Sequence, residues 1–212
     1  MSADYVLWNR PGSGGFAVEA ALAMTGAPHR LEMLESQRST PLPESFRATN
    51  PWNQVPVLDL PDGTRMTETA AMLIHLAGAF PEAKAAPAPG TPDHALFLRW
   101  TVFLTVNAYE SVLRRVYPER YTDDPAGVEA VANAARRRGL EALLVVEDAI
   151  RPEGGLFGAD ITVTDVYLAM LHSWCDKAQE LPRCTALQLR VQQDPTVGPI
   201  WRSHYGPGAS AR

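Results

Sequence analysis

Two stretches of the chain carry side chains of the right types to hold a charged ligand. The first is Asn9-Arg10-Pro11-Gly12-Ser13-Gly14-Gly15, which runs into a helix-forming segment from Phe16. It offers an amide at Asn9, a hydroxyl at Ser13 and the first-turn N–H groups of a helix, where partial positive charge favours an anion. Its glycines let a ligand come close to the backbone. The second stretch, Asn50 to Thr69, closes on Glu68-Thr69 at the start of another helical run, Ala70 to Ala77. A carboxylate there can accept from an ammonium group, a charge-assisted bond worth roughly 1.5–3 kcal/mol.

A third group lies further on. Asn107, Ser111 and Arg114 fall at i, i+4 and i+7, one stripe of a helix, with Tyr109 and Tyr117 near its edges. The other reactive residue types point elsewhere. Cys175 and Cys184 form neither a Cys-x-x-Cys pair nor a metal-ligand spacing, so no metal is expected and both thiols read as buried or incidental. The first half of the chain has no cysteine, which argues against dithiol redox chemistry. Arg136-Arg137-Arg138 reads as a solvated helix face, and His75, inside an apolar helical run, as packing.

The elements that must position these groups follow from period and turn chemistry. Tyr5 to Trp8 reads as a short buried strand and Phe16 to Thr25 as a helix stopped by Gly26. Arg30 to Glu35 reads as a second strand, with Leu31 and Met33 on one face. A short helix is expected near Pro43 to Arg47. Val55, Val57, Leu58 and Leu60 are strand formers, Asp62-Gly63 is a hairpin turn signal, and Arg65 to Thr67 returns as the partner strand. Pro56, at the mouth of the first of these, points to a turn or a cis peptide. Phe80-Pro81 stops the next helix. The order strand, helix, strand, hairpin, helix predicts a mixed four-stranded sheet with a right-handed crossover.

Ala83 to Pro92, with three prolines and a glycine, forbids a regular element and reads as a linker. The expected division is therefore residues 1–82, a linker at 83–90, and residues 91–212. Thr91-Pro92-Asp93 is a helix-start signal, and that helix should run to about Tyr117. Pro125 opens another, over roughly Ala126 to Ile150. Thr162 and Asp165 form a capping box before Val166 to Leu171. Leu187 to Trp201 reads as one or two short helices around Pro195, and Gly206 to Arg212 as a loose tail.

The ordered pattern Asn-Pro, Gln-Val-Pro-Val-Leu, Thr-Glu-Thr, together with the later capping box, resembles the glutathione transferase superfamily over nearly the whole chain. The resemblance implies an α+β thioredoxin-like N-terminal domain, with a mixed four-stranded sheet, followed by an all-α domain. It implies that Gln54 and Val55, before a cis Pro56, pair with the cysteinyl part of glutathione. Glu68 and Thr69 would hold the γ-glutamyl part, and Trp52 would cover the tripeptide. Relatives place a Tyr, Ser or Cys at the loop that meets the thiol. Here the Pro-Gly-x-Cys or Pro-Gly-x-Ser pattern aligns Gly14 with that residue. Ser13, one position earlier, is the first candidate for a hydroxyl donor, Asn9 the alternative, and the amides of Gly14 to Phe16 a third. Ser13 can equally be a turn hydroxyl that bonds its own loop.

Tyr109, Arg114, Tyr117 and Asn107 would wall the second-substrate pocket. The implied activity is transfer of glutathione to a small hydrophobic electrophile, with a role in detoxification. The same resemblance admits a glutathione-dependent isomerase or ether-cleaving enzyme, or a non-catalytic glutathione-binding module. It also implies a homodimer. Composition sets outer bounds. Hydrophobic residues make up 46% and charged residues 20%, as in globular proteins. A net charge of −5 argues against a nucleic-acid partner held by phosphate contacts. No apolar run approaches a membrane span. Met1 to Tyr5 lacks the basic and apolar parts of a secretory signal, so the cytoplasm is the expected compartment.

Overall fold

The computed structural model describes residues 4–34 and 42–206. The expected strand end at Glu35 and the tail at 207–212 lie outside the described residues. Strands β1 (Tyr5–Asn9), β2 (His29–Met33), β3 (Val57–Asp59) and β4 (Arg65–Met66) form one sheet in the order β2-β1-β3-β4. β1 runs parallel to β2, with Leu7 opposite Leu31, and antiparallel to β3, with Leu7 opposite Leu58. β3 and β4 make the expected hairpin. Gly63 takes φ 88° at its turn, where a side chain would be strained. The sheet is thus mixed and four-stranded, with a thioredoxin-like order of elements.

One strand expectation changes in detail. β3 is shorter than its run of β-formers, because Pro56 has no N–H for the ladder and the Leu60 N–H turns to the Thr64 carbonyl at 2.8 Å to close the hairpin. β2 lies at the sheet edge, and Leu31 and Met33, on one face as expected, are both exposed.

Helix α1 (Gly15–Thr25) ends at Gly26, which takes φ 66°. It packs against β1, against α2 (Thr69–Ala79), and against the later helices α6 (Val163–Ser173) and α8 (Val197–Tyr205). It is buried nearly all round, and Phe16, Val18 and Leu22 are wholly inaccessible. Beyond β4 only helices and turns occur among the described residues. Thr91 caps α3 (Pro92–Phe103) by accepting from the His94 N–H at 3.2 Å. The chain continues through a π-helical segment, Leu104–Tyr109, into α4 (Glu110–Val116). α5 (Val128–Glu147) stops short of Ile150, and α7 (Pro182–Gln193) begins earlier than its apolar pattern suggests. The reason for that early start is distant in sequence. Glu147 accepts from the Arg183 and Cys184 N–H groups at 2.6 and 2.8 Å, capping α7 from the end of α5.

The proline-rich segment does not stand free. Ala85 is buried, and its carbonyl accepts from the Val163 N–H at 2.9 Å, fixing the segment to the start of α6. Every residue of α6 is buried. Its capping box is present, and Asp165 accepts from the N–H groups of Thr162 and Leu156, both at 2.9 Å. Burial pushes the Asp165 carboxyl up, and these donors offset only part of the rise. Asp165→Ala strands buried donors at the core's central helix and is expected to cost about 3 kcal/mol, against about 1 kcal/mol for Thr162→Ala. Urea unfolding checks this, and equal midpoints for the two variants would contradict it.

Candidate functional site

Two adjoining hollows lie between the first loop, the segment before Pro56, the start of α2, and the helix that runs from α3 into α4. One, of ≈ 100 Å³, is lined by Asn50, Trp52, Gln54, Val55, Glu68 and Thr69, among others. The other, of ≈ 220 Å³, includes Arg10, Ser13, Gly14, Tyr109, Tyr117 and Trp174. They share Gln54, Val55, Tyr109 and Leu113.

The segment before Pro56 is folded by one buried side chain. Asn50 accepts from the Trp52 N–H at 3.0 Å and donates to the Gln54 carbonyl at 2.7 Å. The Asn53 N–H bonds the Asn50 carbonyl at 2.8 Å, and Asn53 takes φ 54°, a value that Asn tolerates. The Val55–Pro56 peptide is cis. Trp52, 76% exposed, stands at the rim. Glu68, just before α2, takes φ 70° and ψ 107°. Such a conformation costs a non-glycine residue about 1–3 kcal/mol and clusters at functional sites. It sets the exposed Glu68 carboxylate beside the buried Thr69, whose N–H opens α2.

The first loop is braced from beneath. Asn9 is fully buried. Its Oδ1 accepts from the Arg10 N–H at 2.8 Å and the Ser13 hydroxyl at 2.9 Å, and its Nδ2 donates to Glu19 Oε2 at 3.3 Å. The Ser13 oxygen in turn accepts from the Gly15 N–H at 3.2 Å. A Cβ on Gly15 would collide with the Asn9 carboxamide, so this packing requires the glycine. Glu19 also meets His204 Nε2 at 2.9 Å, while the Gly12 N–H donates to His204 Nδ1 at 3.2 Å. Because Nδ1 accepts, Nε2 carries the ring proton and donates to Glu19. Glu19 and His204 were invisible to motif reasoning, since they lie far apart in sequence and outside any recognisable spacing.

Ser13 therefore lines the cleft, but its proton goes to Asn9. Asn9 lies under the loop and is not among the residues lining either hollow. On the helical side, Tyr109 and Tyr117 line the cleft. Asn107 and Arg114 do not. Asn107 donates to the Phe103 carbonyl at 3.1 Å, and Arg114 pairs with Glu110 at 3.2 Å and lies over the Tyr121 ring. Ser111 packs against Gly139 of α5. The residues that face the cleft are instead Tyr109, Val112, Leu113 and Val116, which fall at i, i+3, i+4 and i+7 and form a neighbouring stripe of the same helix. The two thiols take no part in it. Burial pushes both Cys175 and Cys184 up, and Glu147 beside Cys184 adds to that.

Residues 16–79 match the family model described as Glutathione S-transferase, N-terminal domain. The chain is 29% identical to the GST-like protein YncG of Escherichia coli strain K12 over 77% of this chain and 78% of that one. It is 23% identical to glutathione S-transferase GstA of Escherichia coli O157:H7 over 90% and 94%. Among solved structures, a glutathione transferase from Methylococcus capsulatus superposes with a TM-score of 0.78 at 26% identity, covering 94% of this chain and 98% of that one. A glutathione transferase homologue from Sulfitobacter, solved with bound glutathione, shares the fold with a TM-score of 0.84 at 22% identity, covering 96% and 99%. Together these matches support the glutathione S-transferase superfamily for this chain.

Removing Asn9 strands the Arg10 N–H, the Ser13 hydroxyl and one face of Glu19 at once. Asn9→Ala is expected to lower stability by about 3 kcal/mol, and Ser13→Ala by about 1 kcal/mol. Thermal unfolding of the two variants checks the order, and a larger loss for Ser13→Ala would refute this account of the loop.

Proposed function

We propose that the chain binds glutathione across the two joined hollows and transfers it, through its sulfur, to a small hydrophobic electrophile. The observation that carries this reading is the meeting of two ligand-holding segments. Gln54-Val55 and Glu68-Thr69 line the same small hollow, and that hollow opens directly onto the loop at Ser13 and Gly14. In this reading Glu68 accepts from the γ-glutamyl ammonium, and Thr69 with the first-turn N–H groups of α2 holds the carboxylate beside it. The cysteinyl backbone pairs with Val55 next to Pro56, and Trp52 and Gln54 flank the peptide. The Sulfitobacter relative, solved with glutathione, supports the choice of ligand.

A free thiol ionises near roughly pH 8.5, and lowering that by about two units takes about 2.7 kcal/mol. Ser13 and Asn9 hold the loop in shape for this, and the N-terminus of α1 supplies part of the field. The electrophile sits against the apolar wall of Val112, Leu113 and Val116. The thiolate forms a carbon–sulfur bond. In substitution the leaving group departs with its bonding pair. In addition to an enone the carbon beside the carbonyl takes up a proton. A glutathione-dependent isomerase or ether-cleaving enzyme would share the first step. The reading includes a cytoplasmic, detoxifying role, and no described helix is long and apolar enough to cross a membrane. It also includes a homodimer. Leu98, Val102 and Val106 repeat every four residues, and the last two are 53% and 61% exposed, a face a second copy would cover. Sedimentation at micromolar concentration is expected to give twice the chain mass.

A second reading, a glutathione-binding protein without turnover, is favoured by one observation: Gly14 brings no side chain to the thiol loop. Retention on immobilised glutathione followed by rates with aryl halides and enones separates the two. Binding without turnover selects the second reading, and no retention removes both. Within either, Glu68→Ala is expected to weaken glutathione binding by about 10- to 100-fold, and by more than Ser13→Ala. Titration calorimetry showing unchanged affinity for Glu68→Ala would disprove the binding mode.

A further inference from the structure

Gly14 is a glycine for want of space and not for its backbone. Its φ of −59° and ψ of −15° are open to every L-residue. A Cβ built there would run into the Tyr109 hydroxyl, and would come within 3.0 Å of Tyr109 Cζ and of Thr69 Oγ1. The point where α1 opens onto the cleft is therefore filled by a phenol that reaches across from the helical side. Tyr109 closes the π-helical segment, a local widening that recurs at functional sites. Its ring is held edge-on to the fully buried Tyr167 at 6.2 Å and tilted against Trp174 at 5.7 Å. Tyr109 is also one of the four residues common to both hollows.

Resting on the glutathione reading above, we propose that Tyr109 is the catalytic hydroxyl that donates to the glutathione sulfur, delivered from the helical side in place of a side chain at residue 14. With the γ-glutamyl part at Glu68-Thr69 and the cysteinyl part along Val55, the thiol falls where the two hollows join. Gly14, Thr69 and the Tyr109 hydroxyl converge there. The thiol proton leaves to solvent, and the phenol keeps its own proton and donates it as a hydrogen bond to the sulfur anion. Ser13 competes poorly for this task, because its single proton is directed 2.9 Å away to Asn9 Oδ1. Gly14 and Tyr109 form a complementary pair: a side chain at one and the phenol at the other cannot share the space.

The absorbance of the glutathione thiolate bound to the full chain, titrated against pH, tests this in four proteins: wild type, Tyr109→Phe, Gly14→Ala and Ser13→Ala. Phe keeps the ring packed against Tyr167 and Trp174. Tyr109→Phe is expected to raise the bound thiol's pKa by about one to two units, with glutathione affinity within about twofold of wild type. Turnover at neutral pH then falls about 10- to 100-fold and recovers partly at higher pH. Gly14→Ala, which pushes the hydroxyl away, shifts the titration in the same direction, and Ser13→Ala shifts it less than Tyr109→Phe. A Tyr109→Phe titration that superimposes on wild type while glutathione still binds overturns this inference alone. A wild-type chain that binds no glutathione overturns this inference and the functional reading together.

Discussion

A carboxylate on a helix buried nearly all round must find partners, because an unpaired buried charge costs several kcal/mol. Glu19, 8% exposed on α1, is that group, and much of the site follows from how it is satisfied. It takes the Asn9 amide from the end of β1 and the His204 ring from α8. The two donors come from opposite ends of the chain, so the pairing fixes the C-terminal helix against the first loop. His204 then passes the constraint back to the loop through the Gly12 N–H, and Asn9 passes it on through Arg10 and Ser13. The loop is held at both ends before any ligand arrives. That is the condition for donors to act on a developing anion without reorganising.

The ligand segments are built on a second economy of the same kind, in which one buried polar side chain organises a turn. Asn50 holds the backbone around Gln54, and the hairpin that follows delivers Glu68 in a conformation that the surrounding fold must impose. The cleft thus gathers a strand end, a hairpin exit and a helix face, each rigid for its own reason. Both halves mix polar and apolar lining. One carries Glu68, Thr69 and the exposed Trp52, and the other sets Val112, Leu113, Val116 and two tyrosines beside Arg10, Glu119 and Arg120.

How much of this is legible in sequence depends on the range of the interaction. The sheet, the hairpin at Asp62-Gly63, the Thr91 start and the Thr162–Asp165 capping box are written in neighbouring residues, and each appears where local chemistry puts it. The cis peptide before Pro56 was likewise signalled by a proline at a strand mouth. The start of α7 is not written in its own residues, because its cap, Glu147, belongs to another helix. The stripe Asn107, Ser111, Arg114 differs for another reason: a helical period marks the faces of a helix but not which face turns to the cleft, and packing selects the neighbouring stripe of Tyr109, Val112, Leu113 and Val116. The Glu19–His204 pair left no trace at all, since its two residues share nothing in sequence but their eventual proximity.

Gly14 shows why the last gap matters for function. From sequence it is an absence, a glycine where the resemblance implies a reactive side chain. In the folded chain the same position is occupied, by an atom that arrives from a residue beyond the proline-rich segment. A site is defined by which groups reach a point in space. The backbone position from which they reach it is secondary, provided the group is held as firmly. Tyr109 meets that proviso, because its ring is confined by Tyr167 and Trp174 and its helix is tied to α6 through the Thr101–Thr164 and Thr105–Tyr167 hydroxyl pairs at 2.9 and 3.1 Å. The glycine is then the accommodating half of a pair. Its small size is what the phenol requires, and an alignment that compares residue 14 alone would score as a defect what the fold uses as space.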